Sequence, residues 1–187
     1  ILQSVLRIPN VIGQNDDLAD DAEWAMVENM VDQALAGLKK FRADEGLVLR
    51  NDLLERIQYI ENHLRDVGPY EAPRLERIKE RLRKNMEEFV TNQQVDQNRY
   101  EQEILYYIEK LDINEEKVRL GQHCVYFRKE LDGNDPQKGR KLSFIAQEIG
   151  REINTIGAKA QDPEIQQLVV MMKDELEKIK EQLANIL

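Results

Sequence analysis

Apolar residues recur every three or four positions over most of this chain, and the breaks in that rhythm mark its elements. The first stripe runs Trp24, Val27, Val31, Leu35, Leu38 and Phe41, then resumes in phase through Leu49, Leu53, Ile57, Ile60, Leu64 and Val67, with Asp20 or Asp21 placed to cap it. Gly37 and Gly46 each weaken a helix by about 1 kcal/mol relative to Ala, too little to break one supported by packing, so one long helix is predicted. Gly68 and Pro69 stop it, because proline disfavours helical geometry at the residue before it. Pro73 then starts a second helix bearing Leu75, Ile78, Leu82, Met86 and Phe89, and the pair reads as a long antiparallel helical hairpin over residues 16–95.

After the polar run TNQQVDQ, a third helix carries Tyr100, Ile104, Tyr107, Ile108 and Leu111. Asn114 is the expected cap of a fourth, whose first turn holds Glu115 and Glu116, favourable against the helix dipole. Gly133 to Gly139 reads as a loop, and a fifth helix with Leu142, Ile145, Ile149, Ile153 and Ile156 is expected to end near Gly157. Asp162 and Pro163 open the last helix. There Ile165, Met172, Ile179 and Ile186 share one heptad position and Val169, Leu176 and Leu183 the other, a pattern that predicts close helix pairing within the chain or between chains. No alternating strand pattern and no internal repeat is present. The fold class is all-α: a connector over residues 1–15, broken by Pro9 and Gly13, the hairpin, and a C-terminal helical bundle over residues 96–187.

Composition agrees, with 34% charged and 6% aromatic residues. A net charge of -9 argues against a chain that coats nucleic acid nonspecifically, since that binding runs on Lys and Arg. Cys124 is the only cysteine, which leaves no intrachain disulfide and fits a reducing, cytoplasmic location. No apolar run is long enough to span a membrane. The chain opens on Ile1 without a signal-peptide pattern, and a fragment lacking its natural N-terminal part is the expectation.

The tract from Asp112 to Lys159 carries more polar chemistry than packing requires. Glu116, Arg119 and His123 share one face of the fourth helix, and Glu148, Arg151 and Thr155 one face of the fifth. Asp112, Glu116 and His123, with Glu103 upstream, are side chains that hold a divalent cation, although Arg119 can instead neutralise the carboxylates. His123 is either a general acid or base or a hydrogen-bonded packing residue. His63 reads as a surface residue and Cys124 as a buried, inert thiol. Arg74 to Lys84 contains six bases and two acids, a phosphate track or a solvated face. Lys138, Arg140 and Lys141 stand at a helix start, where a phosphate can bind, or in an ordinary turn. Gln147, Glu148, Arg151, Asn154 and Thr155 form a polar strip suited to reading RNA or to knitting helices together.

In order along the chain, LRIPNVI, RADEG, NRYEQE, DINEEKVRLGQH, GRKLSFIAQEIGREINTIGAKA and EKIKEQLANI resemble the bacterial YicC/YloC family of stress-induced proteins. The likeness covers the whole chain and is most specific in its last part. It implies a cytoplasmic endoribonuclease that assembles as a ring-like homo-oligomer and acts in RNA turnover, with a β-containing domain preceding LRIPNVI. By position, the family's polar signature falls on Glu103, Asp112, Glu115, Glu116, Arg119, His123, Gly139, Arg140, Lys141, Gln147, Glu148, Arg151, Glu152, Asn154, Thr155 and Lys159. Ser143 departs from it where an acid is common, and Lys180 where arginine is.

Together these readings lead to an RNA-binding endoribonuclease. Arg119, Arg140, Lys141, Arg151, Asn154 and Lys159 are the expected RNA contacts, Asp112, Glu116 and Glu148 the ligands of a Mg or Mn ion, and His123, Glu116 and Glu148 the catalytic groups. RNA, further copies of the chain and RNA-degradation proteins are the expected partners. The alternative is a non-catalytic helical adaptor or oligomerisation module, whose polar faces would be interface networks.

Overall fold

The computed structural model describes residues 20–89, 97–133, 135 and 138–184, and every regular element among them is an α-helix. They are α1 (Asp21–Asp66), α2 (Gly68–Phe89), α3 (Gln97–Lys110), α4 (Asn114–Leu131), α5 (Lys138–Ala160) and α6 (Pro163–Ala184). The expected connector over residues 1–15, most of the TNQQVDQ run and Ile186 lie outside the described residues, as does the side chain of Glu103. The chain divides into two compact units, Ile1–Leu47 and Val48–Leu187.

In the first unit the described residues belong to the N-terminal part of α1. Asp20 supplies the predicted cap: its side chain accepts the Ala22 amide at 3.4 Å and its carbonyl the Trp24 amide at 2.9 Å. Helix continues through Gly37 and Gly46, as expected. The apolar stripe forms but stays in solvent, from Leu35 at 47% exposed to Trp24 at 64%.

The second unit is built on four helices. Leu53, Ile57 and Ile60 of α1, Leu120, Cys124 and Phe127 of α4, Ile149, Ile153 and Ile156 of α5, and Ile165, Met172 and Ile179 of α6 join one fully buried cluster. Burying each such large apolar side chain is worth roughly 1.5–3 kcal/mol. Both heptad positions of α6 that are described face this core, so the pairing predicted for the last helix is made inside the chain, chiefly with α5. Closeness depends on glycine there: a Cβ on Gly150 would lie 3.1 Å from Leu176 Cδ2, and one on Gly157 3.0 Å from Val169 Cγ1.

Ion pairs fix the register of α1 against its neighbours. Arg50 reaches Asp132 at 2.6 Å and Arg128 reaches Glu61 at 2.7 Å, so the second half of α1 runs antiparallel to α4. Arg56 joins Asp52 at 3.0 Å and Glu175 of α6 at 3.1 Å. Burial pushes the Glu175 carboxyl up, but hydrogen bonds from Lys178 and Arg56 outweigh it and hold the group below its ordinary value.

Three boundaries differ from the sequence reading. Helix α2 starts at Gly68, with Pro73 inside it, because Pro69 already supplies the preset backbone of a first helical turn and Pro73 then forfeits a single hydrogen bond. Asn114 is not a cap. Ile113, 1% exposed and anchored in the core, takes the cap position, and Asp112 accepts the Asn114 amide at 3.3 Å. Helix α5 continues past Gly157 to Ala160, since a guanidinium from α2 satisfies its last carbonyls.

Candidate functional site

The fifth helix has two faces of opposite character. Leu142, Ile145, Ala146, Ile149, Ile153 and Ile156 face the core, while Arg140, Phe144, Gln147, Arg151 and Asn154 all stand exposed on the other side. The Arg140 guanidinium lies over the Phe144 ring, 5.7 Å from its centroid, and is in no ion pair among the described residues. Arg151 pairs with Glu148 at 3.2 Å while its own side chain stays 73% exposed. Thr155 donates its hydroxyl to the Arg151 carbonyl at 3.0 Å. Lys141 is engaged by Asp135 and, at 3.3 Å, by Glu130, whose hydrogen bonds raise its pKa.

A second cluster forms at the far end of α5, where α2 crosses the corner between α5 and α6. Arg74, 3% exposed, donates to the carbonyls of Ala160, Leu111 (2.5 Å) and Lys159 (2.9 Å). Burial lowers its pKa, while Asp162, Glu71 and Asp112 nearby oppose that. Arg77 binds the buried Asp162, whose other oxygen caps α6 by accepting the Ile165 amide at 3.2 Å, and Arg81 donates to Gln161 at 2.9 Å. These arginines surround a cleft of about 210 Å³ with Gln161, Asp162 and Pro163. The first three arginines of the Arg74–Lys84 run therefore fasten α2 to the corner; Arg74 is buried there, whereas Arg77 and Arg81 stay exposed.

Glu116 belongs to the same end. It is 5% exposed and accepts from Lys159 Nζ at 2.6 Å, while its Oε2 is buried with no hydrogen-bond partner. The pair sets the antiparallel register of α4 against α5 and places His123 level with Glu152 two turns along. His123 is half-buried, with no hydrogen bond to a described residue. Arg119 is exposed and tied to Glu115 one turn before it. His63 is half-buried. Cys124 is fully buried, and burial pushes its thiol up to about 12.

The predicted residues thus fall into two groups. Asp112, Glu116 and Lys159 gather at the corner, and Arg140, Glu148, Arg151 and Asn154 line the outer face of α5, with Glu148 about 16 Å along the helix axis from Lys159. Asp112, Glu116 and Glu148 do not converge on one point within the chain, and no group of three or more His, Cys, Asp or Glu among the described residues is placed to hold a metal ion. Two residues were missed. Phe144 was readable, because it stands four residues after Arg140 and three before Gln147, in the polar phase of the helix. The inward role of Arg74 was not, because nothing local distinguishes it from its basic neighbours.

Residues 67–187 match the family model described as endoribonuclease YicC-like, C-terminal. The chain belongs to this YicC-like endoribonuclease family. It is 35% identical over 187 residues to a probable endoribonuclease YicC of Clostridioides difficile, and 31% identical over 186 residues to one of Haemophilus influenzae. Each alignment takes in 99% of the chain but only 64% and 63% of those relatives, so the chain spans just under two thirds of their length. The YicC-like match contains both the outer face of α5 and the Arg74 corner. None of the helices described is long and apolar enough to cross a membrane.

Proposed function

We propose that this chain is the helical part of a cytoplasmic endoribonuclease that cleaves RNA in bacterial RNA turnover or stress response. The observation that carries the reading is the YicC-like match over residues 67–187, which takes in the whole cationic outer face of α5. On that face Arg140, Arg151 and Asn154 engage the RNA backbone, with Lys141 and Arg119 at its margins. Lys159 is committed to Glu116 and serves to position that carboxylate. His123, with both ring nitrogens free of described partners, is the group that takes the proton from the attacking hydroxyl and returns one to the leaving 5′-oxygen. Because Asp112, Glu116 and Glu148 stand apart in one chain, no step is assigned to a Mg or Mn ion, and Glu148 acts through Arg151.

The test incubates the full natural protein with structured RNA, with Mg or Mn and with EDTA. Cleavage that His123→Ala slows by about a hundredfold or more is the expected result. RNA left intact under every condition overturns the proposal, and loss of cleavage in EDTA would bring in a cation held between copies or by residues outside those described. An adaptor or oligomerisation role is favoured by one observation, the solvent-exposed stripe from Trp24 to Phe41. Within the nuclease reading, that stripe joins copies of the chain in a homo-oligomer, and proteins of RNA degradation remain candidate partners.

A further inference from the structure

The outer face of α5 has a composition that phosphate binding alone does not explain. Arg140, Phe144, Gln147, Arg151 and Asn154 follow one another at spacings of four, three, four and three residues, so they form a single stripe about 21 Å long. It contains an aromatic ring, two guanidinium groups and two carboxamides, and the one acid beside it, Glu148, is paired with Arg151. Phe144 is 54% exposed, and its neighbours along the stripe are Arg140 and Gln147.

We propose that this stripe receives an unpaired stretch of RNA, one base of which stacks on the face of the Phe144 ring that the Arg140 guanidinium leaves uncovered. The inference rests on the endoribonuclease reading and names the kind of RNA that the site takes. Every base presents a π face, so an exposed aromatic ring beside cations is a platform for unpaired bases, whereas paired bases in a duplex keep their faces stacked on one another. Arg151, whose pairing with Glu148 leaves it largely in solvent, takes a phosphate. Gln147 and Asn154 carry both donors and acceptors and suit base edges and ribose hydroxyls. A partner helix would call for aliphatic anchors at these same spacings, and the stripe has amides and guanidinium groups there instead.

The experiment measures fluorescence anisotropy of labelled oligoadenylate and of a blunt RNA duplex with the full natural protein. Phe144→Ala is expected to weaken oligoadenylate binding about tenfold and to leave duplex binding unchanged, and Phe144→Trp to restore it. Because Phe144 is exposed, both variants should keep wild-type circular dichroism. Oligoadenylate binding by Phe144→Ala equal to wild type overturns the inference, as does an equal loss in Phe144→Trp accompanied by a lower mass in light scattering, which would mark a contact between copies. A wild-type protein that cuts RNA while Phe144→Ala binds normally sinks this inference and spares the nuclease. One that binds oligoadenylate through Phe144 yet never cuts any RNA does the reverse.

Discussion

Arg74 carries a charge into a buried site where the carbonyls of Ala160, Leu111 and Lys159 accept its hydrogen bonds and the carboxylates of Asp162, Glu71 and Asp112 stand nearby. Sequence placed it in a run of bases and left open whether the run faced solvent or phosphate. The deciding fact is tertiary, because the last carbonyls of a helix have no partners of their own and a neighbouring donor must supply them. Arg74→Met should therefore cost about 3 kcal/mol in urea unfolding, since it strands buried acceptors. Arg74→Lys should recover little, because one ammonium lacks the planar fork. A stability unchanged by Arg74→Met would contradict this assignment. Cys124, by contrast, was legible as an inert thiol because no basic residue other than His123 adjoins it in the sequence. Its folded pKa of about 12 lies above the ordinary 9.0, so the stability that it contributes is complete below pH 9 and is lost as pH rises toward 12. Chemical denaturation across that range should show a stability for Cys124→Ala that falls less steeply, by up to about 1.4 kcal/mol per pH unit.

At the scale of elements, periodicity and cap signals located all the described helices, and the buried positions of α5 and α6 are largely those of the predicted stripes. What it missed were ends. Gly157 was read as a stop because glycine is common just beyond a helix, yet here it permits close packing inside one. The two meanings of glycine separate on substitution. Gly37 and Gly46 have nothing within 4 Å of an added Cβ, so alanine at either should stabilise the chain by up to about 1 kcal/mol through helix propensity alone. At Gly157 the added Cβ meets Val169, a buried β-branched side chain with little freedom to turn aside. Gly157→Ala should thus lower the melting temperature, while Gly37→Ala raises it or leaves it unchanged. A rise for Gly157→Ala would show that α5 and α6 separate more easily than their contacts imply.

For the molecule as a whole, a hydrophobic stripe states which residues share a face and leaves unstated what covers it. The stripe of α6 is covered by its own chain, and the stripe from Trp24 to Phe41 is not covered by any described residue. Its spacing of three and four resembles the narrow seam by which helices pair, and exposed apolar faces of this length mark interaction surfaces. If this seam joins copies of the chain, replacing both Val31 and Leu38 with Glu puts charges at two of its central positions. The mass in light scattering should then fall toward that of a single chain while helical circular dichroism is retained, because both positions are exposed within one chain. Reversing charge at Arg140 and Arg151 should do the opposite, leaving the mass intact and removing RNA affinity. An adaptor held together by the polar face of α5 would exchange those two results, so the pair of variants decides which of the two exposed surfaces assembles the protein and which one meets RNA.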